Sequence, residues 1–194
     1  METEVRLGLE IAVGNRPTLH GPGVTYCDWR ECDVRPFVKC DVFEPLPFAD
    51  ATFFLVRANH ILEHCSHRFT GKVLDQWCQV LRGDGVLWLE VPDFQWQAER
   101  LVKDPGDESV AVLAYGYQDY ANDSNVHRNG FTSITLSRRL VDVGMLGFVA
   151  REGGCLIAWA MHDIPGQKKE ELHWLYDYIR RVGYKGRLKV FDKK

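Results

Sequence analysis

Short apolar runs alternate with segments of helical spacing along most of this chain. Residues 7–13 are apolar apart from Gly8 and Glu10, the pattern of a strand buried on both faces, and Gly14-Asn15-Arg16-Pro17 breaks it. Further short strands are predicted over 24–27, leading into Asp28, over 37–40, leading into Asp41, and over 53–58. From 67 to 81 the apolar positions Phe69, Val73, Leu74, Trp77, Cys78 and Leu81 recur every three or four residues, which predicts an amphipathic helix ended by Gly83-Asp84-Gly85. Residues 86–91 read as a fifth strand closed by Pro92, and 94–102 as a helix halted before Pro105-Gly106. Another helix is predicted over 133–143, stopped by Gly144. Residues 148–151 and 155–161 form a predicted hairpin around Gly153-Gly154. A last helix over 167–182 places Leu172, Leu175, Tyr176 and Ile179 on one face.

This alternation predicts an α/β layer structure, three layers in a single domain over 1–194. One connection is anomalous. Between the first two strands only residues 14–23 are available, whereas a parallel crossover needs about a dozen or more. The first helix is therefore expected to be vestigial or absent. Residues 107–131, with Tyr115, Tyr117, Tyr120 and Asn122-Asp123-Ser124-Asn125, lack regular spacing and read as an inserted loop or lid on the substrate side.

Composition narrows the class of protein. Hydrophobic residues at 45% and charged residues at 26% are those of a chain that folds around a core. A net charge of -3 gives no basic footprint, so nucleic acid is not an expected partner. The longest apolar runs are too short to cross a bilayer, and no charged-then-apolar leader opens the sequence; a cytoplasmic protein without a membrane partner is expected. None of the six cysteines forms a Cys-x-x-Cys pair, so they are expected to be reduced and mostly buried, Cys40 and Cys155 included.

Chemistry-bearing residues gather where strands end. Glu10 lies inside the first strand, with Ala12 and Gly14 small enough beyond it for a ligand to approach the backbone. Asp28 and Asp41 stand at the next two ends, where a carboxylate can accept two hydrogen bonds from a diol. After the fourth strand come Asn59-His60-Ile61-Leu62-Glu63-His64, whose imidazoles have the intrinsic pKa of a general base. His60 to His64 also spells H-x-x-E-H, the inverted zinc-protease motif, so a zinc hydrolase is one alternative.

Taken in order, Leu9-Glu10-Ile11-Ala12-Val13-Gly14, Asp28, Cys40-Asp41-Val42, Ile61-Leu62-Glu63-His64, Val80-Leu81-Arg82-Gly83-Asp84-Gly85-Val86-Leu87 and Val91-Pro92-Asp93 resemble the motifs of class I S-adenosylmethionine-dependent methyltransferases. His127-Arg128-Asn129-Gly130-Phe131, followed by a helix ending in Val143-Gly144, is similar to a short, type 11-like subgroup that lacks the first helix. The resemblance implies a Rossmann-like sheet and S-adenosylmethionine as cofactor. It implies that Ala12 and Gly14 lie at the methionine end, Asp28 at the ribose, Asp41 and Trp29 at the adenine, and that Glu10, Val42, Asn59 and His60 also contact the cofactor. It also implies His64, His127 and His60 near the chemistry, no metal, and a small acceptor with an oxygen or nitrogen nucleophile, a sugar hydroxyl among the candidates. Arg16 and Phe54 depart from the family pattern, and they support a second alternative, an inactive methyltransferase-fold scaffold working by protein contact.

Overall fold

Strands too apolar to face water on either side need layers above and below them, and a single sheet meets that need here. The computed structural model describes residues 6–14, 17–118, 125–166 and 168–192. Its strands are β1 (Gly8–Ile11), β2 (Val24–Asp28), β3 (Phe37–Lys39), β4 (Phe53–Asn59), β5 (Leu81–Pro92), β6 (Met145–Glu152), β7 (Cys155–His162) and β8 (Lys189–Phe191). They lie in the order β3-β2-β1-β4-β5-β7-β6-β8. Pairing from β3 to β5 is parallel throughout, while β7 runs antiparallel to β5 and β6, and β8 antiparallel to β6.

The helices are α1 (Thr70–Gln79), α2 (Phe94–Lys103), α3 (Ser109–Tyr115), α4 (Ser133–Asp142) and α5 (Lys168–Arg181). Val73, Leu74 and Trp77 of α1 and Leu136 and Leu140 of α4 bury against Leu9, Ile11, Val56, Leu87 and Leu89 on one face of the sheet. Trp77 also donates its indole N–H to the Val42 carbonyl at 2.8 Å, tying the loop after β3 to this layer. On the other face Leu175 and Ile179 of α5 pack on Phe54, Val86 and Trp159. Phe54 meets Trp174 and Tyr178 edge-on, so the residue that departs from the family pattern is a packing residue of this second layer. The β6–β7 hairpin has no room for a side chain at Gly147, where a Cβ would lie 2.0 Å from the Trp159 carbonyl oxygen.

Caps set the helix starts. Asp93 accepts from the N–H groups of Gln95 and Trp96 at the head of α2, and Thr132 and Thr135 form a reciprocal capping box on α4. Three expectations change. Residues 107–131 are not all loop, since α3 lies within them. β8 was not foreseen, because three residues carry too little pattern. β5 starts at Leu81, with Gly83-Asp84-Gly85 inside it and a register shift between Phe53 and Leu55. The short first crossover is as expected: among the described residues no helix joins β1 to β2. Arg16, Tyr120 and Asn122-Asp123-Ser124 lie outside the described residues, and no helix among those described is long and apolar enough to cross a membrane.

From β1 the chain steps outward to β2 and β3, then returns to pair β4 on the other side of β1. The strand order reverses there, and in open α/β sheets ligands bind at the carboxyl ends beside such a reversal.

Candidate active site

The tips of β1 and β2 are closed upon themselves. Glu10, 2% exposed, accepts from the N–H of Thr18 at 2.8 Å, the N–H of Leu19 at 2.9 Å and the Thr18 hydroxyl. It thereby holds the stretch that replaces the missing helix. The carboxylate expected to face a ligand is instead an internal anchor, because a buried acid with three donors has no reason to turn outward. Asp28, 1% exposed, accepts from the N–H of Gly14 at 2.9 Å with one oxygen and from the N–H of Arg30 at 2.9 Å with the other. Asp28, expected to face a diol, is in this structure committed to the turn after β1. Ala12 and Gly14 in that turn have φ of 56° and 55°. Gly14 takes this left-handed conformation without steric cost, whereas Ala12 is strained there.

Beyond β3, Asp41 is exposed and accepts from the N–H of Phe43 at 2.9 Å, while Val42 is buried. The two carboxylates therefore do not line one crevice: Asp28 is turned inward and Asp41 outward. Trp29 is 47% exposed, with the Arg30 guanidinium 5.6 Å from its ring centre.

The tips of β4, β5 and β7 are different in kind. Register pairs Ile11 with Ala58 and Asn59 with Glu90, so Asn59 follows the strand position beside the Ala12 turn. Its Oδ1 is buried and has no hydrogen-bond partner. His60 leaves β4 at a φ of 50°, a conformation that costs a non-glycine residue and persists only where its surroundings hold it. Its Nδ1 lies 3.3 Å from a Glu63 oxygen, and its Nε2 lies 3.6 Å from Glu90 and 3.9 Å from the Cys155 sulfur. Those three groups, Cys155 foremost, push the imidazole pKa up to about 12. The same contact with His60 lowers that of Glu90.

A 3₁₀ turn, Leu62–His64, follows. Glu63 is 2% exposed; its carbonyl accepts from the N–H groups of Arg128 and Asn129, and its Oε2 has no partner. His64 places Nδ1 3.1 Å from the Val126 carbonyl oxygen, and burial lowers its pKa. His127 places Nδ1 3.0 Å from the Leu113 carbonyl oxygen, and the two rings meet edge to face at 4.9 Å between centres. A cleft of about 240 Å³ opens beside this pair, lined by Phe43, Glu44, His64, Cys65, Phe69 and Arg128 among others.

His60, His64 and His127 are thus gathered on one side and Ala12, Gly14 and Asn59 at the neighbouring tip. Because no helix spans His60 to His64, the inverted zinc-protease arrangement does not form; the two histidines face different partners. Glu90 and Cys155 were missed. Glu90 had a signal, an acid inside the apolar run Leu87-Trp88-Leu89-Glu90-Val91, while Cys155 reaches His60 only through the β5–β7 pairing. Cys40 and Cys155, expected to be buried, are the two partly exposed cysteines.

No protein-family model matches the sequence, and no curated protein does. Solved structures do. An O-methyltransferase family protein from Burkholderia thailandensis superposes with a TM-score of 0.57 at 12% identity, over 82% of this chain and 52% of that one. This chain has the class I methyltransferase fold. It spans about half the length of that methyltransferase. The 1,6-didemethyltoxoflavin-N1-methyltransferase of Burkholderia thailandensis, solved with bound 1,6-didemethyltoxoflavin and S-adenosylhomocysteine, gives a TM-score of 0.53 at 19% identity over 81% of this chain and 71% of that one. A methyltransferase from Methanosarcina mazei gives 0.55 at 15% identity, over 82% and 93%. In that fold the strand tips described above form the ligand-bearing edge of the sheet.

Proposed function

We propose that this chain transfers a methyl group from S-adenosylmethionine to an oxygen or nitrogen of a small acceptor. The observation that carries the reading is the pairing, at the point where strand order reverses, of the left-handed turn through Ala12 and Gly14 with the orphaned Oδ1 of Asn59. A buried acceptor without a donor calls for one, and the ammonium of a bound amino acid moiety supplies it. Trp29, Asp41 and Val42 flank the place for a nucleoside beyond β2 and β3. Asp28 acts through the turn, by holding the Gly14 N–H.

The cofactor, when bound, offers an electrophilic methyl on a sulfonium. The chain's part is to position the nucleophile and accept its proton. Neutral His64 suits that role. Its Nδ1 faces a carbonyl and acts as donor, leaving a lone pair on Nε2, and His127 beside it is held in the same way. A sugar hydroxyl, favoured by the short-subgroup resemblance, and an amine are both nucleophiles that such a base serves. The methyltransferase neighbours include an O- and an N-methyltransferase, which supports that acceptor class.

A second reading is a fold that no longer binds cofactor and works by protein contact. The inward commitment of Glu10 and Asp28 favours it. Calorimetric titration with S-adenosylhomocysteine separates the two. Saturable binding, weakened by about tenfold or more in Asn59→Ala for one lost hydrogen bond to a charged group, supports the methyltransferase. No heat at high micromolar ligand supports the scaffold, and affinity unchanged in Asp28→Ala removes any role for that acid.

A further inference from the structure

We propose that Glu63, His64 and His127 form a binding site for a divalent transition-metal ion, with zinc the best match to the donor set. One ligand atom from each of the three lies within 4.8 Å of the others. Three independent features single this trio out. Both imidazoles direct Nδ1 at a backbone carbonyl, Val126 for His64 and Leu113 for His127, which fixes the tautomer and leaves each Nε2 with a free lone pair. The carboxylate of Glu63 is 2% exposed, and its Oε2 has no hydrogen-bond partner, an arrangement that a cation would complete. Its other oxygen is held by His60 at 3.3 Å, so all three ligands have an outer partner.

Two imidazoles and one carboxylate make a three-ligand set with a further position open to solvent or substrate. With bonds of about 2.0–2.2 Å at a tetrahedral ion, ligand atoms end about 3.3–3.6 Å apart. The site therefore contracts on binding, and the loop bearing His127 is the element placed to close it.

The neighbouring trio of His60, Glu90 and Cys155 also brings its ligand atoms within 4.8 Å, and it is the competitor. It is the poorer site for a physical reason. Each nitrogen of His60 faces a carboxylate, Glu63 or Glu90, so both act as donors and neither keeps a lone pair for a metal.

The chemical use of the ion rests on the methyl-transfer reading and changes the part His64 plays in it, from free base to ligand: bound beside the acceptor, a divalent cation would lower the pKa of a coordinated hydroxyl and ease loss of its proton. Metal binding itself needs neither cofactor nor acceptor, so its failure and that of the methyltransferase reading are distinguishable.

The test is titration of chelator-treated full-length protein with cobalt(II) chloride, followed by absorption and by displacement with zinc chloride. The expected result is one equivalent bound, visible bands of nitrogen and oxygen ligation, and no thiolate-to-cobalt charge-transfer band. Glu63→Gln and His127→Ala should each weaken binding by more than about tenfold, since losing a ligand exceeds the 10- to 100-fold cost of losing an outer partner. Cys155→Ser should bind as the parent does. Absence of binding at high micromolar cobalt and zinc overturns the proposal. So does a thiolate band that Cys155→Ser removes, or affinity unchanged in His127→Ala. Should Glu63→Gln fail to fold, His127→Ala, altered in a loop, decides alone.

Discussion

Two neighbouring edges of one sheet use their polar side chains in opposite ways. At β1 and β2, Glu10 and Asp28 are buried and give both oxygens to N–H groups of their own loops. At β4, a buried oxygen of half-buried Asn59 and one of buried Glu63 each lack a partner, and strained His60 lies between them. Both edges bury polar oxygens, and only the first satisfies them. A satisfied acid at a strand tip is a structural tie. An unsatisfied one costs stability, and at a strand tip beside a strained residue it is where a ligand can complete it.

The largest expected effect follows from removing a tie. Glu10→Ala leaves the Thr18 and Leu19 N–H groups without their acceptor and takes away the negative charge opposite half-buried Arg57 in the register. A loss of about 3 kcal/mol or more is expected in chemical denaturation, as for breaking a buried ionic network from one side. Glu63→Gln at the open edge should cost less than Glu10→Ala, because it gives up only the charge facing partly exposed His60 and the oxygen replaced has no hydrogen bond to lose. Equal losses would erase the distinction between the edges.

Asp28→Asn keeps one acceptor oxygen and loses one of two backbone bonds, so about 1–2 kcal/mol is expected, read as a shift in denaturation midpoint without a change in slope. If the midpoint does not move, Asp28 is not holding the turn.

The turn itself gives a test of opposite sign. Ala12→Gly should stabilise by about 0.5–1 kcal/mol by relieving a left-handed alanine, and Gly14→Ala should destabilise by about 1 kcal/mol. A destabilised Ala12→Gly would show that its Cβ packs usefully.

The smallest effect belongs to a control far from either edge. Glu171 is buried at the start of α5, and burial, with Asp163 and Glu170 adding repulsion, raises its pKa. The folded-state value exceeds the unfolded one, so the charged form is penalised above the folded pKa, and the penalty fades as pH falls through it. Glu171→Gln should therefore raise Tm near neutral pH by the equivalent of less than about 1 kcal/mol, with the gain shrinking in acid. A gain that grows in acid would reverse the sign of this argument.

The element types, their order and the missing first helix were legible because they rest on local matters: apolar spacing, turn residues and the length of a connection. Val73, Leu74 and Trp77 announce their helix face from spacing alone, and the ten residues between the two expected strands leave no room for a crossover helix. The sequence likewise placed His60, His64 and His127 among the candidates, since imidazoles near strand ends carry their chemistry with them. What it could not supply is direction. Whether Glu10 and Asp28 face a ligand or their own loops depends on where Gly14, Thr18, Leu19 and Arg30 come to lie. That Glu90 and Cys155 meet His60 depends on β7 entering the sheet antiparallel beside β5. Such contacts join residues up to 95 positions apart, and hydrogen-bond satisfaction is a property of the folded surroundings, not of any stretch of chain.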